Sequence, residues 1–133
     1  MTLFVDTNIF LRFLTHDHEE QYKRCTSLLE KAKRGKVHLQ TSALTMFEII
    51  WTLESYYEEP KQSIIEKMTG LLSFPNITVE HRDVFLEAFV LWDGASVSFN
   101  DAFNAIWMQR EEISSLYSYD RGFDRLGVQR LEP

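Results

Sequence analysis

Cysteine is nearly missing from this sequence: Cys25 stands alone among 133 residues. No internal disulfide is available to it, which excludes a secreted, disulfide-built fold. Long apolar runs are missing too, since the stretch VFLEAFVLW carries Glu87 inside it, and no segment reads as a membrane span. The N-terminal MTLFVDTN lacks the basic stretch and apolar core of a signal peptide. The expectation is a cytoplasmic protein with no membrane contact. No internal repeat, low-complexity stretch or dividing linker interrupts the chain, so residues 1–133 are expected to form a single domain. A chain of this length buries roughly two thirds of its unfolded surface, enough for a core without a structural metal.

Positive charge is also in deficit, with 14 Lys and Arg against 20 Asp and Glu and a net charge of −6. Affinity for a phosphate backbone comes mainly from Lys and Arg, so a simple polyanion-coating protein is excluded, although a nucleic-acid enzyme is not. The charge is uneven. Lys23, Arg24, Lys31, Lys33, Arg34 and Lys36 cluster early, Arg121, Arg125 and Arg130 lie near the end, and the acids Glu80 to Asp101 between them are opposed by Arg82 alone. Several motifs are absent. Lys36 is followed by Val37, which rules out a phosphate-binding P-loop, and GASVS lacks the second glycine of a nucleophile elbow, leaving Ser96 and Ser98 as loop residues. His16-Asp17-His18 has no partner at zinc-like spacing and reads as a solvated helix start. Cys25 on an apolar helix face reads as inert core, and Trp51, Trp92 and Trp107 as core or dimer contacts.

What is present is an alternation of strands and helices. Leu3-Phe4-Val5 reads as a buried strand that stops at Asp6 and turns into the helix Ile9 to Leu14. Asp17, three residues before Glu20, reads as a capping start for an amphipathic helix that runs to Gly35 with its basic cluster outward. Val37 to Gln40 reads as a strand, the apolar ALTMFEIIWTLESYY as a helix, and Pro60 as the start of another. Ile77 to Val79 follows as a strand, then a helix capped by Asp83, a helix from Asn100 to Arg110, a strand at Leu116-Tyr117, and an edge strand over Val128 to Leu131. This is the pattern of an α/β protein with a parallel sheet covered on both faces.

The chemically informative residues are acids in apolar company. Asp6 ends a strand, where ligands of parallel sheets gather, and Asp120 ends the last convincing one. Glu48 lies among Met46, Phe47, Ile49, Ile50 and Trp51, with little polar surface around it, and Asp101 begins a helix. Together these four carboxylates would raise one another's pKa, a conflict that a hard divalent cation resolves. Oxygen ligands select Mg²⁺ or Mn²⁺, and the product would be a phosphodiester-cleaving site using metal-activated water. Each acid also has a purely structural reading: Asp101 as a cap or first-turn residue, Asp6 as a strand-end turn residue, and Asp120 as the acid of a turn before Gly122. Unpaired buried Glu is rare, so Glu48 has the weakest such alternative.

FVDTN near the N-terminus, the apolar helix carrying Glu48, NDAFNA at Asp101 and LYSYDRGFDRLGV around Asp120 resemble a PIN domain over essentially the whole chain, and more narrowly the VapC toxins of toxin–antitoxin pairs. The resemblance implies a three-layer α/β/α sandwich around a parallel sheet of four or five strands, and a magnesium- or manganese-dependent endoribonuclease. By position it implies Asp6, Glu48, Asp101 and Asp120 as the catalytic and metal-binding quartet, with Asp124 as a further candidate ligand. Thr7, Asn8 and Ser118 would be supporting polar residues. It also implies an RNA substrate, a cognate antitoxin whose tail enters the acidic groove, and a homodimer, with Phe10, Phe13, Tyr56 and Tyr57 as candidate contacts. Because the chain is acidic, RNA must be held locally, and Arg12, Arg121 and Arg125 are the candidates nearest the quartet. Two other functions compete: a PIN-like module that binds RNA with little or no catalysis, and another metal-dependent phosphoesterase, acting on DNA.

Overall fold

A computed structural model describes residues 1–133. Five short strands and six α-helices alternate along the chain: β1 (Thr2–Phe4), α1 (Thr7–Leu14), α2 (Glu19–Lys33), β2 (His38–Thr41), α3 (Ala43–Ser55), α4 (Lys61–Leu72), β3 (Ile77–Val79), α5 (Arg82–Asp93), α6 (Phe99–Arg110), β4 (Ser115–Tyr117) and β5 (Gln129–Leu131), with a 3₁₀ turn over Arg121–Arg125. The α/β reading holds, and every strand pairing is parallel. Hydrogen bonding distributes the strands over two sheets, β1-β2-β3 and β4-β5. The chain forms two compact units, Met1–Arg82 and Asp83–Pro133. No helix is long and apolar enough to cross a membrane.

In the first unit, Leu39 pairs with both Leu3 and Ile77, which sets the register of the three-stranded sheet. Val5 continues the β1 ladder by donating its amide to Gln40, and the buried Thr41 hydroxyl donates back to the Val5 carbonyl at 2.8 Å. Asp6 therefore leaves the sheet from a fixed point. Leu3 and Phe4 are exposed, contrary to the buried strand expected, because β1 is the outermost strand of its sheet and only Val5 reaches the core. Phe10, Leu29, Met46, Ile49, Leu53, Ile64 and Met68 are fully buried. Gly35, at φ 75°, closes α2 in the left-handed conformation that favours glycine. The basic residues of α2 face solvent, as expected, and Arg24 pairs with Glu20 one turn away.

The second unit packs around aromatic rings. Phe89 stacks on Phe99 at 4.9 Å, Trp92 meets Phe99 edge-on at 5.4 Å, and Phe85 lies 4.8 Å from Phe103. Trp92 is core, as expected, and its indole donates to the Val97 carbonyl. Trp107 is half-buried against Phe103.

Three caps differ from the sequence reading. His18, without a side-chain bond, occupies the cap position of α2, because the Asp17 carboxylate is already taken by Tyr57 and Thr15. Asp83 lies within the first turn of α5 rather than capping it. Ser98, read as a loop residue, caps α6 by accepting the Asp101 amide at 3.2 Å, so Asp101 is free of the capping role.

Candidate active site

The sequence-derived acids fall into two pairs, one in each unit. Asp6 is the N-cap of α1, in extended backbone, and its Oδ1 accepts the Thr7 amide at 2.8 Å. Thr7 is buried, and its hydroxyl donates to Glu48 Oε2 at 2.6 Å. One threonine thus ties the acid at the end of β1 to the acid in the middle of α3. Asp6, Thr7, Asn8, Leu11, Glu48, Trp51 and Thr52 line a concavity of about 360 Å³.

Glu48 is exposed, not buried as its apolar neighbours in sequence suggested. Helical periodicity explains the difference. Thr45, Met46, Ile49, Ile50 and Leu53 form the buried face of α3, while Leu44, Glu48 and Trp51 project from the other side. Trp51 is therefore not core: it is 68% exposed.

In the second unit, Asp101 and Asp120 bring their carboxyl groups together beside Gly122. Asp120 caps the 3₁₀ turn, its Oδ1 accepting the Gly122 amide at 2.8 Å while its own amide donates to the Ser118 hydroxyl at 2.9 Å. Burial, followed by the neighbouring Asp120 carboxylate, pushes the Asp101 carboxyl above the usual range, with Ser98 opposing. The Gly122 amide, then Asp101, then the Arg130 charge hold Asp120 below it. Gly122 makes room for this contact, since a Cβ there would lie 3.1 Å from Asp120 Oδ1 and 3.7 Å from Asp101 Oδ2.

The remaining candidates sort by their partners. Asp124 is taken by Arg130, at 3.0 Å, and is not part of the Asp101–Asp120 pair. Arg12 is tied to Gln21 at 2.7 Å and to Asp17 at 3.5 Å, which removes it as a free phosphate contact. Arg121 is exposed, and Arg125 is exposed with one bond to the Ser96 carbonyl. Among the proposed dimer contacts, Phe10 is fully buried, Phe13 packs on Phe74 at 5.7 Å, and Tyr57 donates to Asp17. Only Tyr56 among them is freely exposed. His16 stacks on Tyr22 at 3.8 Å and pairs with Glu19, consistent with a solvated helix start.

Sequence reasoning missed two residues. Arg130 joins the carbonyl of Ser118 to the carboxylates of Asp124 and Glu132, fixing the segment that presents Asp120. Ser98 orients Asp101 from the cap position, and the signal available was a serine three residues before an acid at a helix start.

Residues 3–129 match the family model of the PIN domain. The chain is 23% identical over 129 residues to a VapC ribonuclease of Aquifex aeolicus, covering 97% of this chain and 95% of that protein. It is 30% identical over 133 residues to ribonuclease VapC13 of Mycobacterium tuberculosis, covering 97% and 98% respectively. Among solved structures, the crystal structure of Mycobacterium tuberculosis VapC20, described as a Sarcin-Ricin loop cleaving toxin, aligns over 98% of this chain and 99% of that one, at 19% identity and a TM-score of 0.44.

Proposed function

The chain belongs to the PIN domain family, and from that premise we propose that it is a metal-dependent endoribonuclease, the toxin component of a VapBC-type pair held in check by a cognate antitoxin. The observation that carries the reading is the Asp6–Thr7–Glu48 arrangement, in which a buried hydroxyl fixes an exposed carboxylate beside the acid that ends β1. Asp6, Glu48, Asp101 and Asp120 are the proposed catalytic and metal-binding residues of a single nuclease domain. Their donor set fits Mg²⁺ or Mn²⁺, being composed of hard carboxylate oxygens with no sulfur and no imidazole. When bound, such an ion supplies Lewis acidity toward the phosphodiester and toward water.

The chain's own residues do the rest. Thr7 holds Oε2 of Glu48 and so restricts its rotamer. The Gly122 amide, Asp101 and the Arg130 charge hold the Asp120 carboxyl below its usual range, so Asp120 presents negative charge at neutral pH. The carboxylates of either pair repel a bare phosphate backbone. RNA binding beside these acids therefore depends on a cation, and an Arg-bearing antitoxin segment would compete for the same charge.

The test is cleavage of total cellular RNA by the purified protein with Mn²⁺, with Mg²⁺ and with chelator, beside Asp6→Asn and Asp101→Asn. Discrete fragments that require metal and vanish in both variants are expected. Fragments that persist in the variants, or in chelator, would overturn the reading.

A further inference from the structure

We infer that Trp51 is a stacking platform for a base of the substrate RNA, placed one helical turn beyond Glu48; this rests on the ribonuclease reading above. Three observations support it. Trp51 is 68% exposed, on the side of α3 opposite the buried Met46, Ile49, Ile50 and Leu53. It lines the same concavity as Asp6, Thr7 and Glu48. It also lies at i+3 from Glu48, close enough along α3 for one nucleotide to reach both.

A ring beside two carboxylates matches the two halves of a nucleotide. The uncharged base has a π face to lay on the indole, and the phosphate bears the charge that a cation bridges to the acids. Single-stranded RNA is recognised chiefly in this way, by unstacked bases laid on aromatic side chains. A second copy of the chain fits the surface less well. It would bring a further net charge of −6 and would bury Asp6 and Glu48 without a cationic partner, a costly desolvation. Stacking tolerates any base, so Trp51 would contribute affinity and positioning more than sequence choice.

The experiment measures binding of a short single-stranded RNA of random sequence, and of an abasic ribose-phosphate oligomer of equal length, with Ca²⁺ replacing the catalytic ion. Wild type, Trp51→Ala and Trp51→Phe are compared. Trp51→Ala is expected to weaken RNA binding by about 5- to 150-fold and to leave binding of the abasic oligomer unchanged, with Trp51→Phe retaining most of the affinity. RNA should quench wild-type tryptophan emission, and Trp51→Phe should lose that quench, because Trp92 is buried and Trp107 half-buried.

Equal RNA affinity in wild type and Trp51→Ala would overturn the inference, as would an equal loss on both oligomers. A dimer that dissociates in Trp51→Ala without RNA, seen by sedimentation velocity, would reassign the residue to contact between copies. If wild type still cleaves RNA in any of these cases, the ribonuclease reading stands. If wild type neither binds nor cleaves RNA, both fall.

Discussion

Thr7 works in two directions at once, its amide donating to the acid before it and its hydroxyl to an acid 41 positions later in the chain. Valine has the same shape without the hydroxyl. Because Glu48 stays in contact with water when the bond is removed, Thr7→Val is expected to cost only about 0.5–1 kcal/mol of stability in urea unfolding. The loss of activity should be larger, about tenfold, since an unrestrained Glu48 samples rotamers that do not hold its carboxylate in place. Equal activity in the two proteins would show that Thr7 has no part in the site. Gly122 offers the complementary test in the other unit. Its φ is not in the left-handed region, so alanine fits the backbone, but the added Cβ meets Asp120 Oδ1 at 3.1 Å and Val97 at 3.4 Å. Asp120 must then turn away from Asp101. Gly122→Ala should lower activity by about 10- to 100-fold with an unchanged circular-dichroism spectrum, whereas full activity would mean that the Asp101–Asp120 contact is not used.

The carboxylate expected to cap α2 instead ties together residues from separate parts of the first unit. Asp17 accepts the Tyr57 hydroxyl at 2.7 Å and the Thr15 hydroxyl at 2.9 Å, with Arg12 at 3.5 Å. The Tyr57 bond first, with Thr15 and Arg12 behind it, holds its carboxyl below the ordinary value of 3.8 against the opposing effect of burial, which is second in size to the Tyr57 bond. A depressed folded-state pKa contributes stability that is fully present above the unfolded value and lost as pH falls through the folded one. The melting temperature of Asp17→Asn should therefore lie below that of wild type at pH 7, and the gap should close only as pH drops below 3.8. A gap independent of pH would assign the effect to shape instead of charge. Deeper in the same region, burial pushes the Cys25 thiol up and leaves it 6% exposed. Its reaction with a disulfide reagent should proceed only as the protein unfolds, and rapid reaction of the folded protein would contradict the packing of α2.

At this scale the limits of sequence reading are specific. The strands at Ile77 to Val79 and the helix opened by Pro60 were legible because local pattern and tertiary placement agree there. Asp17 was misread as a cap because its partner Tyr57 is 40 positions away. Glu48 was read as buried because α3 is apolar on most of its surface, and only the packing of the unit decides which face turns outward.

Over the whole molecule, net charge and local charge lead to different expectations about RNA. A net charge of −6 argues for few phosphate contacts, and hence for a shallow dependence of binding on salt, because each neutralised phosphate on a single strand contributes about 0.7 to the slope of log K against log salt. Proximity to the acids in sequence makes Arg12, Arg121 and Arg125 candidates for those contacts. Their surroundings separate them: the Arg12 guanidinium is held by Gln21 and Asp17, while Arg121 and Arg125 keep exposed side chains in the turn that follows Asp120. A cation already neutralised by a carboxylate releases few counterions when RNA arrives. Replacing Arg121 and Arg125 together by alanine should thus weaken RNA binding and flatten the salt slope by roughly 0.7 for each contact removed. Arg12→Ala should leave the slope as it is, while lowering the melting temperature through the lost Asp17 pairing. A slope that flattens with Arg12→Ala and holds with the double variant would place the RNA path along the first unit instead, because the Asp17 pairing would then be giving way to phosphate.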